Sequence, residues 1–419
     1  MGFKNNRGSV ANILSLWFFA NTLLWPFSVD MGGFKLGLNV AVLAVAGAFW
    51  MLKNNSSISF FSAKLVFWLA VFFLFSFIIA ITGPCEDKFV KFLSTAPVMF
   101  LLALVGLEIG WRATASDWLQ LEILAKTILL IAFLGFLFEA FLPGLFPNQD
   151  VYRLDGKFSG FFSEPSHVAI SLFPSIVILL ASKRPLFNRF GTLALIGLVL
   201  FSRSSSLIVL ILLWLIYQVF VKKTVKFTRR FVFIVAIIIS AVIAAVLNYE
   251  QIVGPIEARL LGLFGSSEIK NISSLVYAQG LQDAWKNLQR TNGLGLGFNM
   301  MGCLPLPDVP ARQDLESVFH LDGLNAEDGS FLFSKIVSET GFIGLLAIGF
   351  VFLWWVKLEK KIRKLDGLEV ASVLPMYAAL LFIFLASIIL RSAGYFSVTL
   401  MLMIPIAAGI AKQTKRSKL

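Results

Sequence analysis

The stretch Leu65–Ile81 reads LVFWLAVFFLFSFIIAI and contains no charged residue. A bilayer core about 30 Å thick needs roughly 17–25 apolar residues to be crossed as a helix, so this segment alone predicts a transmembrane span. The rest of the chain repeats the pattern. Of its 419 residues 58% are hydrophobic and only 14% charged, and the mean hydropathy is +0.83. A soluble domain of this length cannot bury that much apolar surface. About twelve such stretches are present on the length criterion: Val10–Phe27, Leu36–Leu52, Leu65–Ile81, Phe92–Ile109, Leu121–Leu142, Val168–Ala181, Phe190–Phe201, Ser205–Val221, Phe231–Leu247, Phe331–Val356, Val370–Leu390 and Ser392–Ala411. The expected fold is an all-α polytopic membrane protein, residues 1–419 forming one integral membrane domain.

The net charge of +12 reflects topology. With the N-terminus inside, the basic clusters fall on one side. Lys183, Arg184 and Arg189, then Lys222, Lys223, Lys226, Arg229 and Arg230, then Lys357, Lys360, Lys361, Arg363 and Lys364 are all cytoplasmic, as are Lys412, Lys415, Arg416 and Lys418. That is the positive-inside bias, and it places both termini in the cytoplasm. Nucleic acid is excluded as a partner; the lipid bilayer is the expected one. The first apolar stretch lacks a small-residue cleavage pattern and reads as a span, not a cleavable signal.

Two outer segments hold most of the polar residues, a loop over 143–167 and a larger one over 248–328 with short amphipathic helices. In the larger loop Leu275, Ala278, Leu281, Trp285 and Leu288 recur at helical spacing, predicting a helix that lies on the membrane or caps the bundle. It stops at Arg290-Thr-Asn-Gly293, and Ile256–Phe264 reads as another short helix. Four arginines, Arg153, Arg203, Arg290 and Arg391, remain on the outer face against the bias. A guanidinium fork matches phosphate oxygens two at a time, so these residues and Lys157 suit an anionic substrate.

The first motif is Arg153-Leu-Asp-Gly-Lys-Phe-Ser-Gly-Phe-Phe-Ser-Glu-Pro-Ser-His167. Ser166 is the expected N-cap of the following span. Glu164 near that helix's positive end would bind a hydroxyl or act as a base. The plain alternative is a well-capped loop with solvated charges. Arg203, in Phe201-Ser-Arg-Ser-Ser-Ser206, sits between two spans with almost no linker, and is either a functional cation or a snorkelling interface residue.

Asn292-Gly-Leu-Gly-Leu-Gly-Phe-Asn299 looks like a phosphate loop, but it lacks the strand–helix setting and reads better as a turn offering backbone donors beside Arg290. In Asp328-Gly-Ser-Phe-Leu-Phe-Ser-Lys-Ile-Val-Ser-Glu-Thr-Gly-Phe-Ile-Gly344, Asp328 is an N-cap or a base, and Lys335 and Glu339 are spaced for an ion pair. Arg391 has no acid near it in sequence. His167 and His320 are too few and too separated for a metal site; His320 is either a base or a bland loop histidine. Cys85 and Cys303 both fall outside, where an oxidising compartment would allow a disulfide, although two unpaired thiols is the blander reading.

In this order the motifs resemble those of Wzy-type O-antigen polymerases, within the superfamily of O-antigen polymerases and ligases. The resemblance rests on Arg153…Gly156…Phe158 with Glu164-Pro165-Ser166, on Ser202-Arg203-Ser204, on Gly293-Leu-Gly-Leu-Gly-Phe298 and on Glu339-Thr-Gly-Phe-Ile-Gly344, together with the multi-span plan and its large outer loop. It implies a GT-C-like glycosyltransferase of a bacterial inner membrane. Such an enzyme needs no metal or other cofactor and joins undecaprenyl-pyrophosphate-linked repeat units at the periplasmic face, with a chain-length regulator as a partner. Catalytic candidates are Glu164 and Asp328, with His320 in reserve. Arg153, Lys157, Arg203, Arg290 and Arg391 would bind substrate.

Ligases of the superfamily resemble one another in a His-Asn pair that opens the span ending in Glu-x-Gly; here Asp328-Gly329-Ser330 stands there, against that alternative. A lipid-linked oligosaccharide flippase, the other alternative, predicts a mid-membrane cationic cavity and two related halves, whereas these charges cluster at the outer face.

Overall fold

The computed structural model describes residues 7–30, 35–53, 58–82, 86–142, 158–162, 164–202, 204–218, 272–321, 329–364, 373–390 and 394–416. Among them the architecture is helical: α1 (Arg7–Phe19), α2 (Leu38–Lys53), α3 (Phe60–Thr82), α4 (Glu86–Arg112), α5 (Ala115–Phe141), α6 (Pro165–Ala181), α7 (Pro185–Ser202), α8 (Ser205–Ile216), α9 (Ile272–Arg290), α10 (Pro310–Phe319), α11 (Leu332–Lys364), α12 (Leu374–Leu390) and α13 (Val398–Arg416). Five helices are long and apolar enough to cross a membrane, over Phe61–Ile79, Phe89–Arg112, Ala115–Phe141, Pro185–Ser202 and Leu332–Ile362. Six shorter apolar helices fall on further stretches read as spans, and Phe231–Leu247 lies outside the described residues, as does the short helix expected over Ile256–Phe264. One local departure from an all-α fold is a small antiparallel hairpin, β1 (Ser28–Asp30) with β2 (Lys35–Gly37), between the first two helices.

The chain divides into two units, one of residues 1–78, 90–210 and 350–419, the other of residues 79–89 and 211–349. In the first, α6 beyond its first turn is largely apolar and buried along nearly its whole length, and so is α12. Helices with no polar face belong inside a bundle. α3 instead turns Phe67, Trp68 and Leu74 outward, which suits contact with lipid chains.

Gly106 and Gly110 of α4 let α13 approach: a Cβ at Gly110 would overlap the Pro405 carbonyl. That is the small-xxx-small device by which membrane helices pack closely. α1 runs into a π-helical turn, Ala20–Leu24, where Asn21 Nδ2 donates to the Trp17 carbonyl (2.9 Å) and Thr22 Oγ1 to that of Phe18 (2.8 Å). These side chains take up carbonyls of the preceding turn, as serines, threonines and asparagines inside helices do. Trp17, wholly buried, donates its indole N–H to the Met401 carbonyl (2.9 Å).

One end of this unit carries Lys412, assigned to the cytoplasm, beside Arg112. Lys412 Nζ donates to the carbonyls of Arg112 (3.2 Å) and Ala113 (2.8 Å), satisfying acceptors that the end of α4 leaves open. Arg112 pairs with the buried Glu108 (3.0 Å), whose other oxygen accepts from the Ser59 amide (2.7 Å). α5 then starts on a reciprocal cap between Thr114 and Asp117.

In the second unit, α9 ends at Arg290, with the turn over 291–293, as the Asn-Gly stop predicts. Its apolar stripe is divided, Leu275 and Leu288 being buried. Leu281 and Trp285 are 41% and 60% exposed, whereas Gln279, Asp283 and Asn287 are buried. The reason is tertiary: α9 receives α10 on one side, through Leu275, Val276, Ala311 and Leu315, and packs Ala284 and Leu288 against Phe333, Val337 and Leu345 of α11 on another.

Candidate functional site

Of the residues singled out in the sequence, Arg153, Lys157, Arg203, Asp328 and Arg391 lie outside the described residues. Glu164, Arg290 and His320 are described, and they have three different settings.

Glu164, not Ser166, is the N-cap of α6, with Pro165 at the first helical position, where its missing N–H costs nothing. The Glu164 carboxylate caps no backbone amide. It faces side chains instead: Ser166 Oγ donates to Oε2 (2.7 Å), and His167 Nε2 lies 3.6 Å from Oε1. The imidazole is held edge-on against Trp25, ring centroids 4.8 Å apart. Both side chains keep some access, 28% exposed for Glu164 and 19% for His167. Sequence reading set the two histidines aside as a metal pair and missed this couple. The signal was there, since Glu164 and His167 are three apart across a helix start, where side chains meet.

The backbone leading into that cap is held by a second acid that sequence reading overlooked. Glu139, at the far end of α5 and fully buried, accepts from the amides of Ser159 (2.9 Å) and Gly160 (2.6 Å) on Oε2. An acid in the stretch Thr127–Leu142, which holds no other charge, was the legible sign. The Phe158 amide donates to the Phe201 carbonyl (2.9 Å), their rings stand 6.1 Å apart, and Phe201 stacks on Phe136. Two of the sequence motifs, 153–167 and 201–206, therefore meet through Phe158 and Phe201.

In the second unit the glycine-rich turn does not offer its amides to a ligand. The N–H groups of Leu296 and Gly297 donate to the carbonyls of Ser338 and Glu339, and those of Asn299 and Met301 to the Glu339 carboxylate (2.7 and 3.0 Å). The glycines make this approach feasible. Gly295 (φ +84°) lies against the Glu339 carbonyl, and Gly341 (φ +59°) breaks α11 so that the Phe342 amide donates to Gly293 rather than along the helix. Both conformations favour glycine. The expected ion pair of Lys335 and Glu339 is present at 3.2 Å, with both side chains almost wholly buried. Glu339 is the structural centre of this turn.

Beside it lies a pair 29 residues apart in sequence. Arg312 Nη2 donates to Asp283 Oδ2 at 2.7 Å and Nε to the Pro307 carbonyl, both side chains being buried. Burial pushes the Asp283 carboxyl up from its usual value, although Arg312, Gln279 and Arg290 pull the other way. Asp283 Oδ1 and Arg312 Nη1 have no hydrogen-bond partner. With Asn287, Met301 and Gly302, Asp283 lines a hollow with room for about one water molecule.

Arg290 is exposed and donates from Nη1 to the Pro305 carbonyl (2.8 Å), tying the end of α9 to the next loop. His320 is the left-handed C-cap of α10 (φ +55°), its amide directed to the Glu316 and Leu315 carbonyls, its side chain exposed. As a candidate base it stands on a helix end, in no ion pair with an acid among the described residues. Cys303 is disulfide-bonded, against the blander expectation of unpaired thiols; Cys85, the chain's other cysteine, lies outside the described residues. Among the described residues no group of acids, histidines and cysteines is placed to hold a metal ion.

No family model matches the chain, and no curated protein matches it.

Proposed function

We propose that this protein polymerises undecaprenyl-pyrophosphate-linked oligosaccharide repeat units at the periplasmic face of a bacterial inner membrane. The carrying observation is the Glu164–His167 couple at the start of α6, part-exposed and braced by Ser166 and Trp25. In the reaction an acceptor sugar hydroxyl attacks C1 of the donor glycan. The new C1–O bond forms as the bond from C1 to the pyrophosphate oxygen breaks. The hydroxyl proton passes to Glu164 or His167, and undecaprenyl pyrophosphate leaves with the bonding pair. A carboxylate next to an imidazole is a suitable acceptor for that proton. Arg153, Lys157, Arg203 and Arg391 would offset the charge that builds on the leaving group, as fixed cations do at developing anions.

Three further features support the reading: the outer arginines that defy the positive-inside bias, the order of the motifs, and the Cys303 disulfide, which suits an oxidising compartment.

The test is complementation of a deletion strain with Glu164→Gln. Loss of a general base costs on the order of 10²–10⁴ in rate, so the expected glycan ladder collapses towards single repeat units while membrane levels of the protein hold. A full ladder from Glu164→Gln and from His167→Ala would remove the couple from the mechanism.

A further inference from the structure

We propose that α9 is an interfacial membrane helix whose exposed Leu281 and Trp285 insert into the lipid headgroup region. The inference rests on Leu332–Ile362 being a membrane span, and not on the reaction proposed above.

Successive residues of an α-helix step about 100° around its axis. Taking Ala284 as the origin, Ala284 and Leu288 occupy one sector, and that sector packs on Phe333, Val337 and Leu345 of α11. Leu281 and Trp285 fall in the next sector on one side, about 60° and 100° round by the same step. Asp283 and Asn287 fall in the sector on the other side and are buried. Beyond Leu281 and Trp285 come Lys286, Gln289 and Arg290, all exposed.

Around the C-terminal half of α9, from Leu281 to Arg290, the order is therefore buried polar, helix contact, exposed apolar, exposed polar; the first turns are covered by α10. An exposed apolar sector between a span and a polar sector is the pattern of a helix lying in the membrane interface. The span itself supplies the continuity. Phe342, Ile343 and Leu346 of α11 are exposed, and Leu294, also exposed, sits in the turn where Gly293 touches the Phe342 ring. The surface of α11 that must meet lipid thus begins beside the same turn that closes α9. Tryptophan is the residue most at home at that depth, with an apolar body and an N–H for the headgroups. The occupant is the bilayer, and the consequence is that the Gly-rich turn and the Asp283–Arg312 pair are held at headgroup level.

The measurement uses the full-length protein in phosphatidylcholine–phosphatidylglycerol vesicles. Nitroxide labels are placed at Leu281→Cys, Trp285→Cys and, as a reference, Lys286→Cys, with unlabelled wild type as the blank. Collision with oxygen reports lipid, and collision with a water-soluble nickel chelate reports solvent. The expected result is oxygen access with nickel shielding at 281 and 285, and the reverse at 286. Nickel access at 281 and 285 equal to that at 286 would overturn the proposal in favour of a water-facing helix. Shielding from both reagents would overturn it in favour of a protein partner or a second copy. No outcome depends on glycan synthesis, so failure here is separable from failure of the polymerase reading.

Discussion

Glu339→Gln is expected to be the most damaging single substitution in the second unit, at about 3–5 kcal/mol, the cost of breaking a buried ion pair from one side. Its carboxylate accepts the Asn299 and Met301 amides on separate oxygens and holds Lys335, which is itself 2% exposed. Glutamine is nearly the same size but keeps a single acceptor oxygen. Its NH₂ must then face one of the two backbone amides, donor against donor, and Lys335 loses its counter-charge in a buried site. Buried groups left unsatisfied carry the full desolvation cost.

Thermal unfolding of the purified protein in detergent measures the effect, and an unchanged Tm would refute this description of the turn. The double variant Lys335→Met, Glu339→Gln provides the internal check. Removing both charges is often close to neutral where removing one is not, so it should recover part of the loss.

The second large effect is an asymmetry. Asp283→Asn should destabilise more than Arg312→Gln, although each breaks the same 2.7 Å bond. Without Asp283, a guanidinium that cannot shed its proton in a protein is stranded in a buried site. Without Arg312, the carboxyl can protonate, and burial already pushes it that way. A carboxyl whose folded pKa lies above its unfolded value is stabilised in its protonated form. That contribution is fully present below the unfolded pKa and is lost as pH rises through the folded one.

Arg312 is the first of the groups opposing this rise, so its removal lets the folded pKa climb further and widens the window. Arg312→Gln should therefore regain Tm as pH falls from neutrality, while Asp283→Asn should show no such recovery. Equal losses, flat with pH in both variants, would contradict the assignment.

What was legible in the sequence follows from which forces act locally. Apolar stretches long enough to cross lipid are strong signals, and five of them are helices of sufficient length. The Lys335–Glu339 pair and the end of α9 at Arg290 also depend only on neighbours along the chain.

The face of α9 was only partly legible, because two sets have helical spacing: Leu281 with Trp285, and Gln279, Asp283 and Asn287. Which one is buried is decided by Arg312, 29 residues away from Asp283, and by α11. The glycine-rich turn was misread for the same reason. Its donors are real, but their acceptor, Glu339, lies some forty residues on. At the candidate site, Glu164 was found by its place at a helix start, whereas Trp25 and Glu139 reach it or its approach only through tertiary packing.

The central claim is elongation of a lipid-linked glycan. Its most direct test is the purified protein in bilayers with undecaprenyl-pyrophosphate-linked repeat units as the only glycan. The polymerase reading expects products at integer multiples of the repeat, with one undecaprenyl pyrophosphate released per new linkage. Repeat units that remain single, or are moved across the bilayer without any lengthening, would contradict it.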